Sequence, residues 1–346
     1  MKIPVNLQDD TLSIALKEGG LKRIHQGKVR DTYFLDEKNL LVVATDRISI
    51  FEFVLNASIP KKGEVLTALT HFWLSNILER FEHHLVKSSK YSCFNAAYDL
   101  RRDLKFLPIE RCLVVKNLTG GIYPFELIYR HHIGGSVFKK YQETGMAGGH
   151  KLPPNLPKWS KLEKPIFTPS TKEEIGHDVN VDADYFFREM ERKGLRADAR
   201  EAVEILRQAY SLSYEYAESR GISILDTKFE VAGMVIADEI LTPDSSRFAR
   251  TSDWEKAMAE GRDPYFLDKQ PVRDWGLKIE TPFRDKNGQI VGINKLDPKK
   301  PEHVTFVHGL EVPAEVIAST TKRYLNIFEA LTDSSLSEYQ VEWMGV

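Results

Sequence analysis

Apolar positions change period several times along the chain, and each change marks a predicted element. The runs 40–45 (LLVVAT) and 112–116 (CLVVK) are almost continuously apolar, the pattern of buried strands. Residues 125–130 alternate, as a half-buried strand does. Around Gly27, segments 21–24 and 28–35 read as strand, turn, strand, so an antiparallel N-terminal sheet is expected. Helical spacing predicts a short helix over 7–18, stopped by Gly19-Gly20, and a longer one over 64–81 with Val65, Leu69, Phe72 and Leu78 on its apolar face. The pair His83-His84 would close that helix at the surface. Gly134-Gly135-Ser136 is expected to open an amphipathic helix that ends at Gly145. Five prolines interrupt 151–178, which predicts a long irregular stretch placed to cover a substrate. Helices are also predicted over 182–194, 198–220 and 313–331, the last with Pro313 in its first turn. Residues 278–304 read as loop-rich, and the tail after Thr332 as loosely attached.

The segment 222–248, ISILDTKFEVAGMVIADEILTPDSSRF, places several charges in an apolar run. At period two, Asp226, Lys228 and Glu230 share one face of a strand, and Leu225, Phe229 and Val231 the other. Ala232-Gly233 signals a turn, with 234–240 returning as the second strand of a hairpin. Two registers are open. A two-residue loop sets Asp226 opposite Glu239. A three-residue loop ending at a left-handed Gly233 sets Glu230 opposite Met234 and Asp226 opposite Asp238, and is preferred because Gly suits its third place. Asp226, Glu230 and Asp238 would then crowd around Lys228, and carboxylates so close need a cation among them. Such oxygen ligands suit Mg²⁺, above all Mg²⁺ shared with phosphates. A solvated edge hairpin accounts for the same charges.

The chain has 346 residues, room for about two domains at ~150 residues each. Its 42% hydrophobic and 28% charged residues are ordinary for a globular protein able to bury a core. A net charge of −2 argues against nucleic acid or a polybasic membrane contact as partner, although a local basic pocket is compatible with it. Cys93 and Cys112 are too few for a disulfide framework or the common zinc spacings. No run approaches the ~20 apolar residues of a membrane span, and the first residues lack a leader's apolar core, so a cytoplasmic protein is expected.

Three sets of residues have the chemistry of phosphate binding. Gly27, Lys28 and Arg30 lie in a turn between strands, without the spacing of a P-loop. They fit either a loop laid over phosphates or an exposed hairpin turn. Arg130, Ser136 and Arg247 combine two guanidiniums with a helix start, which is what a phosphate monoester needs. A Ser cap beside two surface arginines is the plainer account. Asp46 and Ser49 follow the 40–45 strand, where loops carry either function or simple turn chemistry. His177-Asp178 has the composition of an orienting pair, but adjacency in sequence gives no geometry, and no spacing supports a Ser-His-Asp triad.

The motifs GKVRDTY (27–33), TDRISIFE (45–52), PFELIYRHHIGGSVFKKY (124–141), PIFTPSTKEEIGHD (165–178), LDTKFE (225–230), DEILTPDSSRF (238–248) and DKQPVRDW (268–275) occur in an order that resembles the SAICAR synthetase (phosphoribosylaminoimidazole-succinocarboxamide synthase) family. The resemblance runs from about Leu21 to the last helix. It implies an α+β fold of two lobes related to ATP-grasp and kinase-like architectures, with antiparallel sheets and flanking helices. An N-terminal ATP-binding lobe over 1–115 and a C-terminal lobe over 116–346 are expected. It also implies an ATP-dependent ligase of purine biosynthesis that joins L-aspartate to the carboxylate of carboxyaminoimidazole ribonucleotide (CAIR) through an acyl phosphate. SAICAR, ADP and phosphate would be the products, with ATP as co-substrate and Mg²⁺ as metal.

Carried onto this sequence, Gly27, Lys28 and Arg30 would cover the ATP phosphates, and Val115 and Lys116 would hold the adenine. Glu230 and Asp238 would take Mg²⁺, with Lys228 between metal and phosphate. Arg130, Ser136 and Arg247 would bind the ribonucleotide phosphate, and Asp244 a ribose hydroxyl. Asp46 and Ser49 would approach the imidazole and the aspartate, and Lys269 and Arg273 would contact substrate. Two positions depart from the family pattern: Glu52 stands where Asp is common, and Ala249 where Trp is common. The length leaves no room for an appended carboxylase domain. A kinase of a small phosphorylated metabolite, or a nucleotide-binding regulator without catalysis, shares the phosphate features and would lack the dependence on aspartate.

Overall fold

The computed structural model describes residues 3–4, 7, 20–86, 109–172 and 178–346. The helix expected over 7–18 therefore lies outside the described residues except for Leu7, and so do Cys93 and His177. Four antiparallel strands form the N-terminal sheet in the order β1-β2-β3-β6: β1 (Lys22–Gln26), β2 (Arg30–Phe34), β3 (Asn39–Ala44) and β6 (Cys112–Lys116). Between β3 and β6 lie the hairpin β4 (Arg47–Ile50) and β5 (Phe53–Ser58), the helix Lys62–Phe72 and a π-helical turn, Trp73–Ile77.

The second sheet runs β10-β7-β12-β13, with β11 added to β7 and β14 to β12. Its strands are β7 (Phe125–Ile133), β10 (Ser160–Phe167), β11 (Ser170–Thr171), β12 (Ile222–Ala232), β13 (Val235–Ala237) and β14 (Ser246–Arg250). A small pair, β8 (Met146–Ala147) and β9 (His150–Lys151), stands apart. The architecture is α+β, with antiparallel sheets and flanking helices.

The long helix Arg196–Ser219 covers one face of the second sheet. Buried Tyr210 ties them together: its hydroxyl donates to the Ile224 carbonyl and accepts from the His131 N–H. Leu127, Phe229 and Val231 from the sheet join Leu206 and Ala209 of the helix in one core, which also takes in Leu40, Leu113 and Val115 of the first sheet. Each large side chain buried there contributes roughly 1.5–3 kcal/mol. A one-residue slip of β12 would turn Phe229 and Val231 into the opposite, polar face. The apolar side of β12 thus fixes where its charges point.

Several expectations are corrected. His83 and His84 are buried, because the segment after the π-helical turn runs between the two sheets instead of over the surface: the His84 N–H donates to the Ile236 carbonyl and its carbonyl accepts from the Lys116 N–H. The stretch 151–178 holds β10, which pairs with β7 on both sides of a register shift that accommodates Pro165. The helix expected from Gly134-Gly135-Ser136 to Gly145 is present, as a 3₁₀ turn, Gly135–Val137, followed by the α-helix Phe138–Thr144 with Gly145 at its end, but Ser136 lies inside the turn and does not cap it. The tail is anchored. Tyr339 and Met344 are buried, the Tyr339 hydroxyl bonds His71, and a capping box at Ser335 and Glu338 starts the helix Leu336–Tyr339.

The hairpin register also differs from both expected forms. Glu230 faces Ala237, Val231 faces Ile236 and Ala232 faces Val235, leaving Gly233-Met234 as a two-residue turn. Gly233 has φ +59° at the first central position, where a type II′ turn demands Gly. The alanine before it stays in the strand. Asp226 therefore lies beyond the reach of β13 and faces neither Asp238 nor Glu239.

Candidate functional site

The polar face of the second sheet is the floor of a cleft of about 190 Å³, lined by Glu126, Ile128 and Arg130 from β7, Asp226 and Lys228 from β12, and Arg247 from β14. Alternation along each strand brings these side chains to one side. The register makes Asp226 the cross-strand neighbour of both Arg130 and Arg247. Its carboxylate accepts from Arg130 Nη1 at 2.6 Å and from Arg247 Nη1 at 2.6 and 2.9 Å. Burial pushes the Asp226 carboxyl up, but the two guanidiniums outweigh it and hold the group below its ordinary value. Asp226 thus belongs with the arginines and not with a metal face.

Glycines admit Arg247. Gly135 has φ +63°, and a Cβ there would come within 3.0 Å of Arg247 Nη1. A Cβ on Gly134 would lie 2.2 Å from the Trp159 ring. Ser136 lines the cleft beside them and donates to Asn180 Oδ1.

Two and four residues further along β12, on the same face, stand Lys228 and Glu230. Lys228 Nζ is 2.9 Å from Glu126 Oε1 and 3.7 Å from Glu230. Lys172 Nζ reaches Glu230 Oε2 at 2.5 Å. Asp238, at the end of β13 with φ +64°, accepts from Arg30 Nη2 at 2.8 Å. Burial and then the Asp238 charge push the Glu230 carboxyl up. Burial pushes Asp238 up as well, but Arg30 and the two lysines hold it well below its ordinary value. Burial lowers Lys228, and Glu126, Glu230 and Asp238 more than reverse this. Three cations from three different elements thus converge on two adjacent carboxylates. Among the described residues, no group of three or more His, Cys, Asp or Glu side chains is arranged to hold a metal. Two carboxylates are enough for an Mg²⁺ whose remaining ligands are phosphate and water.

The turn before Arg30 is supported from below. Buried Arg47 donates to the Lys28 and Gly27 carbonyls and pairs with buried Asp31. Lys28 is paired with Glu52 at the tip of the β4–β5 hairpin. Arg30, Val42, Ala44, Leu113, Val115, His84 and Asp238 line a second, apolar pocket between the first sheet and the helix Lys62–Phe72. Val115 contributes its side chain there. Lys116 has its N–H engaged by His84 and its ammonium 3.3 Å from Glu82.

Asp244 is buried against Lys62 Nζ at 2.8 Å and the Tyr324 hydroxyl, with Lys269 Nζ 3.9 Å away. Burial lowers the Lys269 ammonium to about 8 despite Asp244. Arg273 lines the cleft with Asp268. Asp46 and Ser49 are not brought to it: Asp46 accepts from the Gly63 N–H at 2.8 Å and pairs with Arg111 at 2.7 Å, and Ser49 lies in β4. Asp178 lies in the loop before the helix Ala183–Arg192. Sequence reasoning passed over Glu126, Lys172 and Trp159. Glu126 was legible, since it shares the alternation that carries Arg130. Lys172 and Trp159 sit in a region without periodicity and gave no signal.

The sequence matches the SAICAR synthetase family profile over residues 23–290. It is 38% identical over 327 residues to a phosphoribosylaminoimidazole-succinocarboxamide synthase of Actinobacillus succinogenes, spanning 92% of this chain and 100% of that protein. The Pasteurella multocida protein of the same name is 38% identical over 90% of this chain and 98% of its own. Among solved structures, a SAICAR synthase aligns with a TM-score of 0.69 at 31% identity, covering 91% of this chain and 96% of the other. The Saccharomyces cerevisiae SAICAR synthase complexed with SAICAR gives 0.68 at 31% identity, with the same coverages.

Proposed function

This chain belongs to the SAICAR synthetase family, and from that premise we infer that it uses ATP to join L-aspartate to the carboxylate of CAIR in purine biosynthesis, giving SAICAR. The observation that carries the site assignment is the layout of β12. Asp226, between two arginines, and Glu230, beside Asp238, lie on one face and four residues apart, about 13 Å at ~3.3 Å per residue. A ribonucleotide laid along that face, with its phosphate at Arg130, Ser136 and Arg247, extends its base carboxylate toward the Glu230 end. Asp244 would take a ribose hydroxyl, and Lys269 and Arg273 the more distant substrate groups.

At the other end, ATP would enter under Gly27, Lys28 and Arg30, with its base in the apolar pocket at Val115. Glu230 and Asp238 fit Mg²⁺, which when bound neutralises phosphate charge. The CAIR carboxylate oxygen attacks the γ-phosphorus, the bond to the β-phosphate oxygen breaks, and ADP leaves. The aspartate amine then attacks the acyl phosphate, the C–O bond breaks, and inorganic phosphate departs as the amide forms. No protein nucleophile is required. Lys228, Lys172 and Arg30 supply positive charge where the transferring phosphoryl group passes, so catalysis is positioning and charge neutralisation.

The division into an ATP-binding lobe over 1–115 and a substrate lobe over 116–346, and a cytosolic location, belong to the same proposal. Among the described residues no helix is long and apolar enough to cross a membrane. ADP release with each substrate omitted in turn tests the function. Sustained ADP release and SAICAR formation should require ATP, CAIR and L-aspartate together, with no more than about one ADP per site when aspartate alone is omitted. Multiple-turnover ADP release without aspartate would reassign the chain as a kinase, and binding of ATP and CAIR without turnover would make it a sensor.

A further inference from the structure

Trp159 is buried and holds φ +69°, a backbone conformation that residues with a Cβ seldom adopt. Three hydrogen bonds, to a strand, a helix and a loop, keep it there. Its N–H donates to the Ile133 carbonyl at the end of β7 at 2.7 Å. Its carbonyl accepts from Trp254 Nε1, on the helix Thr251–Glu260, at 2.9 Å. Its own indole Nε1 donates to Asp263 Oδ1 at 2.9 Å, and Asp263 is held in turn by Lys158 at 2.8 Å. The ring lies in the space that a Gly134 side chain would need, and the Arg247 Cζ stands 5.7 Å from its centroid, within range of a cation–π contact. Arg247 is thereby bounded on three sides: by the Asp226 carboxylate, by the Gly135 backbone and by the indole.

We propose that Trp159 is a positioning residue for the phosphate clamp, holding the Arg247 guanidinium in the plane from which it receives the phosphate monoester of the ribonucleotide. Its strained backbone and Asp263 anchor set the indole against Gly134, and the indole closes the side of the guanidinium that the sheet leaves open. This inference rests on the assignment of Arg247 to the ribonucleotide phosphate.

The test compares Trp159→Phe, Trp159→Ala and Asp263→Ala with the unmodified enzyme. Two readouts are taken: KM for CAIR and ATP in turnover, and Kd for ribose 5-phosphate by calorimetry without ATP or aspartate. Trp159→Ala should raise the CAIR KM and the ribose 5-phosphate Kd about tenfold or more, with ATP KM and kcat within about twofold. Trp159→Phe, which keeps a ring but loses the N–H bond to Asp263, should raise the same two constants by about threefold to tenfold, less than Trp159→Ala, with ATP KM and kcat within about twofold. Asp263→Ala, a change at a half-exposed side chain, should raise the same two constants by about threefold to tenfold even if Trp159→Ala does not fold. Unchanged phosphate affinity in Asp263→Ala, or equal losses in ATP KM, CAIR KM and kcat, would overturn the proposal by reducing Trp159 to packing. Ribose 5-phosphate binding needs no ligase chemistry. An unmodified chain that binds it yet makes no SAICAR would fail the function and leave this inference standing.

Discussion

Replacing Asp226 with Asn keeps the shape of the phosphate clamp and removes its central charge. Asp226 is 5% exposed, and it accepts three charge-assisted bonds from Arg130 and Arg247. Arg130 is 2% exposed and already feels repulsion from Arg247. Without the carboxylate, the buried Arg130 guanidinium faces the partly exposed Arg247 with no counter-charge. Breaking a buried pair by removing one partner costs about 3–5 kcal/mol. With an unfolding entropy of about 2.1 cal/mol/K per residue, roughly 0.7 kcal/mol/K for 346 residues, Tm should fall by about 4–7 °C. The assay is thermal unfolding at neutral pH with and without ribose 5-phosphate. The phosphate should restore part of the loss, because it supplies the missing negative charge. A Tm within about 1 °C of the unmodified protein, with no difference in phosphate stabilisation, would refute the idea that Asp226 balances the two arginines.

Other consequences follow from the same geometry. Glu230→Gln should abolish ADP release. Since burial and Asp238 hold the Glu230 carboxyl above its ordinary value, the substitution should leave Tm unchanged or raise it; near-normal turnover would contradict the metal assignment. Arg247→Ala should raise the CAIR KM roughly tenfold to hundredfold, the value of a charge-assisted bond, with the ATP KM unchanged; steady-state kinetics with each substrate varied separates the two. Burial lowers His71 to about 4 and His132 to about 3 from an ordinary 6.5. The unfolded chain therefore takes up protons first, and stability present above pH 6.5 is lost as pH falls toward 4, by about 1.4 kcal/mol per pH unit for each group. Denaturant titrations between pH 7 and 4 should show this slope, and it should be shallower in His132→Phe.

The charge pattern of β12 was readable because alternation over eleven residues forces Asp226, Lys228 and Glu230 onto one face. Its hairpin partner was not, because Ala-Gly fits more than one turn and only the packed sheet decides that Ala232 stays in the strand. Gly134-Gly135 read as the start of a helix, and nothing local says that Trp159 fills one side and Arg247 the other. His83-His84 looks like a surface pair at short range. It is buried because the chain there runs between two sheets that are distant in sequence. The tail misled for the same reason: Tyr339 meets His71 across 268 residues. Local periodicity reports which face of an element is apolar, whereas tertiary contacts decide what covers it.

The central claim is that one face of β12 aligns the CAIR carboxylate with the γ-phosphate of ATP, so that carboxylate oxygen attacks phosphorus. Turnover of CAIR labelled with ¹⁸O in its carboxylate tests this directly. One labelled oxygen should pass into inorganic phosphate in each turnover, with the other retained in the SAICAR amide. Unlabelled phosphate, with both labels accounted for elsewhere, would contradict the account.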